Sequence, residues 1–136
     1  MSLELPKVIR IIEEFRKLDS EMQAQTMLTL LFIARKGELG SPPTVREVGE
    51  YLGVTGASAS RNVAALSKHH RHNKLGHDLV YTYENPEKRI EKFIELTPKG
   101  KRVINSLEDL VTLSHVPKAT AVADNEEPST KTEELR

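Results

Sequence analysis

Thr44-Val-Arg-Glu-Val-Gly-Glu-Tyr-Leu-Gly-Val-Thr-Gly-Ala-Ser-Ala-Ser-Arg-Asn-Val-Ala-Ala-Leu-Ser-Lys68 reads as a short helix, a tight turn and a second helix. Thr44 and Glu47 have the spacing of a capping box, in which side chain and backbone bond each other reciprocally at a helix start. Val45, Val48 and Leu52 then share the inner face of the short helix. Gly49 within that helix costs about 1 kcal/mol relative to alanine. Close approach of the second helix supplies a reason for it. Gly53 is a natural helix exit, and Val54 is the apolar plug of the turn. The second helix is expected from about Gly56 to His69. Ala59, Val63 and Leu66 would face inward, and Ser58, Arg61, Asn62, Ala65 and Lys68 outward.

Upstream, residues 5–18 have helical character, with Pro6 at an early position where a missing N–H is harmless. Leu5, Val8, Ile9, Ile11, Ile12, Phe15 and Leu18 form a stripe wider than one core face needs. Either the helix is buried on two sides within its own domain, or part of it meets a second subunit. Ser20 with Gln23 suggests another capping box. It would open a helix to about Lys36, with Met27, Leu30, Leu31 and Ala34 at helical spacing and Gly37, Gly40, Pro42 and Pro43 ending it.

Downstream, residues 70–76 are polar and without a period. Leu79, Tyr81 and Tyr83 alternate with Val80 and Thr82, which is strand periodicity. Glu84 to Lys88 is a turn, and Arg89 to Leu96 a second strand, with Ile90, Ile94 and Leu96 on one face and Phe93 on the other. Thr97-Pro98 starts a last helix, whose face of Val103, Ile104, Leu107, Leu110 and Val111 runs to about Leu113. Residues 114–136, with the acidic cluster Asp124 to Glu127, carry no apolar period and are expected to be a disordered acidic tail. The fold class is therefore mainly α with a β-hairpin: a winged helix-turn-helix over residues 1–113, with flanking helices available for dimerisation.

A chain of 136 residues suits one domain that needs neither disulfide nor metal. It has no cysteine, which removes thiolate chemistry. No apolar run approaches the ~20 residues that span a bilayer, and the N-terminus has no leader pattern. A soluble cytoplasmic protein that does not engage a membrane is expected. Net charge is zero, but its distribution is uneven. Residues 1–113 hold 17 Lys and Arg against 15 Asp and Glu; residues 114–136 hold 3 against 5. Positions 51–77 contain Arg61, Lys68, Arg71 and Lys74 and no acid, together with four of the five histidines. Such a local basic footprint suits nucleic acid better than the average suggests, and the acidic tail could compete with DNA for it.

The major groove of B-DNA admits a helix. Thr55, Gly56, Ala57 and Ser58 would let its leading end approach closely, and helix N-terminal amides hold phosphate. Ser60 and Arg61 lie on the exposed side, Arg61 being the long donor that could pair with guanine, and Asn62 could contact adenine or phosphate. Lys68, Arg71 and Lys74 would sit near backbone phosphates, Thr44 is a further candidate for DNA contact, and Lys88 and Arg89 at the hairpin tip could reach the adjacent minor groove or backbone. Bland readings stand beside these. Arg61 could pair with a surface carboxylate, Ser58 and Ser60 could be solvated, and Lys88 and Arg89 could blunt a hairpin edge. His69 and His72 share a helical spacing, but no nearby carboxylate or cysteine completes a metal set. No cofactor is expected. Neither a Gly-rich phosphate loop nor a paired-carboxylate motif suggests an enzyme.

Leu52 to Leu66 resembles the recognition segment of the multiple-antibiotic-resistance regulator (MarR) family. Leu96-Thr97-Pro98-Lys99-Gly100 resembles that family's Leu-Thr-x-x-Gly junction between wing and last helix, and Asn85 to Arg89 resembles its wing tip. The resemblance covers roughly residues 5–113. It departs from the family at Lys68 to Gly76, where the first wing strand is delayed, at Asn85, which stands in for a wing aspartate, at Arg89, one place further from Leu96 than usual, and in its shortened C-terminal helical region, where the family's long dimer-building helices are reduced to one of about 16 residues. It implies a sequence-specific regulator of transcription that binds double-stranded DNA as a homodimer. It also allows a small-molecule or protein effector, although only three Phe, three Tyr and no Trp are present to build a ligand pocket. The alternative is a winged-helix interaction module that binds a polymerase or replication component, suggested by Phe93 and the wing tyrosines.

Overall fold

The computed structural model describes residues 4–68 and 75–112. The histidine-rich stretch with Arg71 and Lys74, and the acidic tail, lie outside the described residues. The elements in chain order are α1 (Glu4–Leu18), α2 (Ala24–Glu38), α3 (Val45–Leu52), α4 (Gly56–Leu66), β1 (Val80–Glu84), β2 (Lys92–Leu96) and α5 (Pro98–Thr112). This is the expected winged helix-turn-helix.

The reciprocal cap at α3 is present: Glu47 N–H donates to Thr44 Oγ1 at 3.1 Å, and Thr44 N–H to Glu47 Oε1 at 3.0 Å. α3 ends at Gly53, whose φ of 72° is left-handed and favours glycine. Gly53 and Val54 N–H groups both donate to the Gly49 carbonyl, at 2.9 and 3.0 Å. The Gly49 expectation also holds. A Cβ there would stand 3.3 Å from the Val54 carbonyl oxygen and 3.4 Å from Ala59 Cβ, so its absence lets α4 cross close over α3.

The expected cap of α2 is not there. The Asp19 carboxylate accepts from Glu21 N–H at 2.9 Å, making a local turn that uses up the Ser20 position and buries Met22. The helix starts at Ala24, with Gln23 as an N-cap that makes no side-chain bond. It also outlasts Gly37, ending where Gly40 turns left-handed at φ 75°.

β1 and β2 pair antiparallel, from Val80 opposite Leu96 to Glu84 opposite Lys92. The second strand is shorter than expected. Arg89 and Ile90 belong to the connecting loop 85–91, whose own hydrogen bonds close before Lys92, and Ile90 is 93% exposed. The hairpin is laced to the helix-turn-helix at both ends. Ile94 N–H donates to the Pro43 carbonyl at 2.9 Å, beside a bridge between Thr44 and Phe93. At the other end, His77 and Leu79 N–H groups take up the Ala65 and Leu66 carbonyls that end α4.

One core joins all elements: Phe15, Leu30, Ile33, Val48, Ala59, Val63, Leu66, Leu79, Val80, Ile94, Ile104 and Leu107. Each large side chain buried there contributes roughly 1.5–3 kcal/mol. α1 buries Phe15 but leaves Leu5, Val8, Ile9 and Ile12 exposed, so the reading that it is covered on both sides within its own domain does not hold.

Candidate nucleic-acid interface

α4 is capped by Thr55, whose Oγ1 accepts from Ser58 N–H at 3.1 Å. Its leading residues Gly56 and Ala57 are exposed, as are Ser60 and Arg61. Ser58 is half-buried, and its hydroxyl accepts from Arg61 Nη2 at 3.0 Å, which lays the guanidinium along the leading turn. The eleven residues of α4 make a rod about 16 Å long, and a helix about 10–12 Å in diameter matches a groove about 12 Å wide.

Two sequence assignments change. Asn62 points inward, not outward, and is buried. Its Oδ1 accepts from Thr26 Oγ1 at 2.8 Å, and its Nδ2 donates to Gln25 Oε1 at 3.2 Å and to the Ser58 carbonyl at 3.1 Å. The helical angle puts Asn62 at the margin of the core stripe, where α2 supplies partners that its polarity needs. Thr44 is buried as well, its side chain committed to the α3 cap. Neither side chain is presented at the surface as a reader would be.

Lys68 lies exposed just past α4, and Lys88 and Arg89 are exposed on the loop 85–91. Arg71 and Lys74 fall outside the described residues. The structure adds Lys92, which the sequence reading passed over. Strand alternation could have found it, since Lys92 has the parity of Ile94 and Leu96 and so faces α4. Among the described residues, the side chains of Lys68, Lys88, Arg89 and Lys92 make no ion pair.

These groups line two adjoining depressions. A groove of about 540 Å³ runs between α4 and the hairpin, past Ser60, Ala64, Lys68, Thr82 and Lys92. A wider cleft of about 1020 Å³ opens between the start of α4 and the hairpin tip, past Arg46, Gly56, Ser60, Lys88, Ile90 and Lys92. Arg46 is the other cation that the sequence reading missed. Its guanidinium stands 2.8 Å from Glu50 and 3.6 Å from Glu91. The Glu50 charge in particular holds it above its ordinary pKa. Arg46 is thus ion-paired with Glu50 and Glu91, and it ties the loop to α3. The remaining cations flank a trough between a helix and a hairpin tip, which can seat an anionic strand between them.

Among the described residues no cluster of three or more His, Cys, Asp or Glu is placed to hold a metal ion, and no helix is long and apolar enough to cross a membrane. The His69–His72 spacing lies outside them.

The arrangement of helix-turn-helix, laced hairpin and basic trough defines a winged helix-turn-helix protein. The chain has the fold of MarR-family winged-helix regulators. It is similar to the S. aureus MepR–DNA complex, with 18% identity over 79% of this chain and 75% of that one and a TM-score of 0.59. Against a point mutant of S. aureus MepR bound to an oligodeoxyribonucleotide the identity is 15%, over 90% and 80% of the two chains, with a TM-score of 0.66. A point mutant of E. coli MarR complexed with operator DNA gives 20% identity over 82% and 70%, with a TM-score of 0.55. At these identities the likeness is one of fold. No protein-family profile and no curated protein matches the sequence.

Proposed function

We propose that the protein is a sequence-specific, double-stranded DNA-binding regulator of transcription, acting in the cytoplasm. α4 enters the major groove with Gly56 and Ala57 against the backbone and Ser60 and Arg61 towards base edges. The trough seats the neighbouring sugar–phosphate strand between Lys68 and Lys92, and Lys88 and Arg89 reach the next minor groove. The observation that carries this is the exposed leading part of α4, small-residued and topped by Arg61, standing beside a hairpin whose Lys88, Arg89 and Lys92 make no ion pair among the described residues. The DNA complexes of the similarly folded MepR and MarR support it.

The active form is a homodimer on a pseudo-palindromic site, with half-sites about one turn, ~34–36 Å, apart. What supports this is the apolar face of α1, where Leu5 is 61% and Val8 53% exposed. An uncovered stripe of that kind marks an association surface. Selection of bound sequences from random duplexes tests the reading. An enriched inverted repeat is the expected result, and recovery of unenriched sequence counts against it.

A second reading has one observation in its favour. Tyr81, Tyr83 and Phe93 form a contiguous aromatic surface on the outer hairpin face, with ring centroids 6.0 and 5.7 Å apart. A protein partner such as a polymerase or replication component could use it. Failure to be retained on random DNA at low salt would favour that partner.

A further inference from the structure

Ile90 is the most exposed large apolar side chain among the described residues. Single exposed apolar residues are ordinary on protein surfaces; the setting of this one is not. The loop 85–91 is closed by its own hydrogen bonds. Asn85 N–H donates to the Glu91 carbonyl at 3.0 Å, Lys88 N–H to the Asn85 carbonyl at 3.1 Å and Glu91 N–H to the Lys88 carbonyl at 2.9 Å. The Asn85 side chain accepts from Glu87 N–H at 2.9 Å. The last backbone bond makes Lys88 to Glu91 a tight turn with Arg89 and Ile90 at its two central positions, so these two project furthest from the hairpin.

Turn centres favour Gly, Asn, Asp, Ser and Pro for backbone reasons. A β-branched isoleucine contributes nothing to that turn, and it buries nothing at 93% exposure. Folding therefore does not account for it. Of the acids on the loop, Glu91 is turned back towards Arg46 and Asn85, and Glu87 is the other. Lys88 and Arg89 stand beside Ile90, with Lys92 just behind. An apolar tip ringed by cations is suited to a surface that is anionic at its rim and apolar within. The minor groove at an opened base step, with phosphates along its edges and apolar base faces exposed between the unstacked pairs, is such a surface, and Ile is among the side chains that enter it as wedges.

We propose that Ile90 is a minor-groove wedge: it presses between adjacent base pairs at the wing, partly unstacking them and bending the duplex, while Lys88 and Arg89 hold the flanking phosphates. This rests on the DNA-binding reading above. The loop's own hydrogen bonds already set the backbone that carries the side chain, which limits the backbone entropy lost on insertion. Pyrimidine–purine steps, which unstack most readily, would be preferred there.

The test uses the full chain and a selected duplex carrying 2-aminopurine at successive steps across the wing position. With the parent protein, fluorescence rises at one step and the complex runs as bent DNA in a permuted-site gel series. Ile90→Ser abolishes both signals and weakens binding about tenfold, the scale expected for losing one buried apolar side chain. It leaves the salt slope unchanged, because no phosphate contact is removed. Ile90→Leu retains the signals. Unfolding curves confirm that the variants fold, as expected for a side chain that touches no core. A parent that binds its selected site tightly, with no fluorescence rise and no Ile90→Ser effect, overturns the wedge and leaves the DNA reading intact. A parent that binds no duplex at low salt overturns both.

Discussion

The Thr26 hydroxyl donates a 2.8 Å hydrogen bond to Asn62 Oδ1, joining two buried side chains 36 residues apart in sequence. With Gln25 as the second partner of Asn62, this pair fixes the rotation of α4 on α2, and hence which of its side chains face outward. Removing one partner leaves the other buried and unsatisfied, at a cost of about 1–3 kcal/mol. Asn62→Ala should lower the urea midpoint by the corresponding amount. Any loss of DNA affinity should appear without a change in salt slope.

Much of this was legible in the sequence. The Thr44–Glu47 cap, the close approach at Gly49 and the exit at Gly53 are local, since each depends on residues within one or two turns. What escaped depends partly on residues far apart and partly on local competition for the same backbone groups. Asn62 sits near the border between core stripe and surface, and only Thr26 and Gln25, on another helix, decide that it turns in. Arg46 is held chiefly by Glu50, one turn on, and by Glu91 across the fold. Ser20 and Gln23 have capping spacing, yet the nearer Asp19 carboxylate reaches the backbone first. The loop bonds of Asn85 and Lys88 shortened β2, because a hairpin loop can be stable on its own terms. For the proposed reader, Arg61 and Ser60 followed from helical spacing. Lys92 was within reach of strand parity, since it shares the face of Ile94 and Leu96 in the expected strand as in the observed one.

Gly100 lies against the Leu79 carbonyl, which itself accepts from Thr97 N–H at 3.0 Å. A Cβ at Gly100 would collide with that carbonyl oxygen, a backbone atom with no room to swing away. This gives the Leu-Thr-Pro-Lys-Gly junction a physical reason: Thr97 caps α5 through Gly100 N–H, at 3.0 Å, and glycine lets the capped turn sit on the hairpin. Gly100→Ala gains at most ~1 kcal/mol of helix propensity against about 1–3 kcal/mol lost through overpacking, for a net destabilisation of up to about 2 kcal/mol. Chemical denaturation checks it; an unchanged midpoint would mean that α5 can slide.

Tyr83 Oη donates to Glu95 Oε2 at 2.5 Å across the outer hairpin face. That bond, followed by desolvation and the carboxylate's charge, pushes the phenol up to about 12. A pKa raised in the folded state stabilises it below the unfolded value of about 10, and the gain is lost as pH rises through the folded value. The hairpin should therefore weaken between those limits, modestly, because the pair is exposed and screened. In a phenolate absorbance titration, Tyr83→Phe should remove the late-titrating fraction, and Glu95→Gln should bring it to lower pH.

Arg61 and Lys92 separate the two roles proposed for the interface. Arg61 reaches out from the leading turn of α4, steadied by Ser58, and is assigned to a base edge. Arg61→Ala should cost about 1–3 kcal/mol on the selected site and relax preference at one base position, with little loss on random DNA. Lys92 faces the trough and is assigned to phosphate. Lys92→Ala should weaken selected and random duplexes alike and reduce the slope of log affinity against log salt by about 0.9. Fluorescence anisotropy at several salt concentrations on both duplexes, and on selected sites substituted at single base pairs, measures these effects. The two variants should move different ones. If Arg61→Ala changed only the slope, the cation on α4 would be a backbone contact and base reading would have to come from Ser60 and its neighbours.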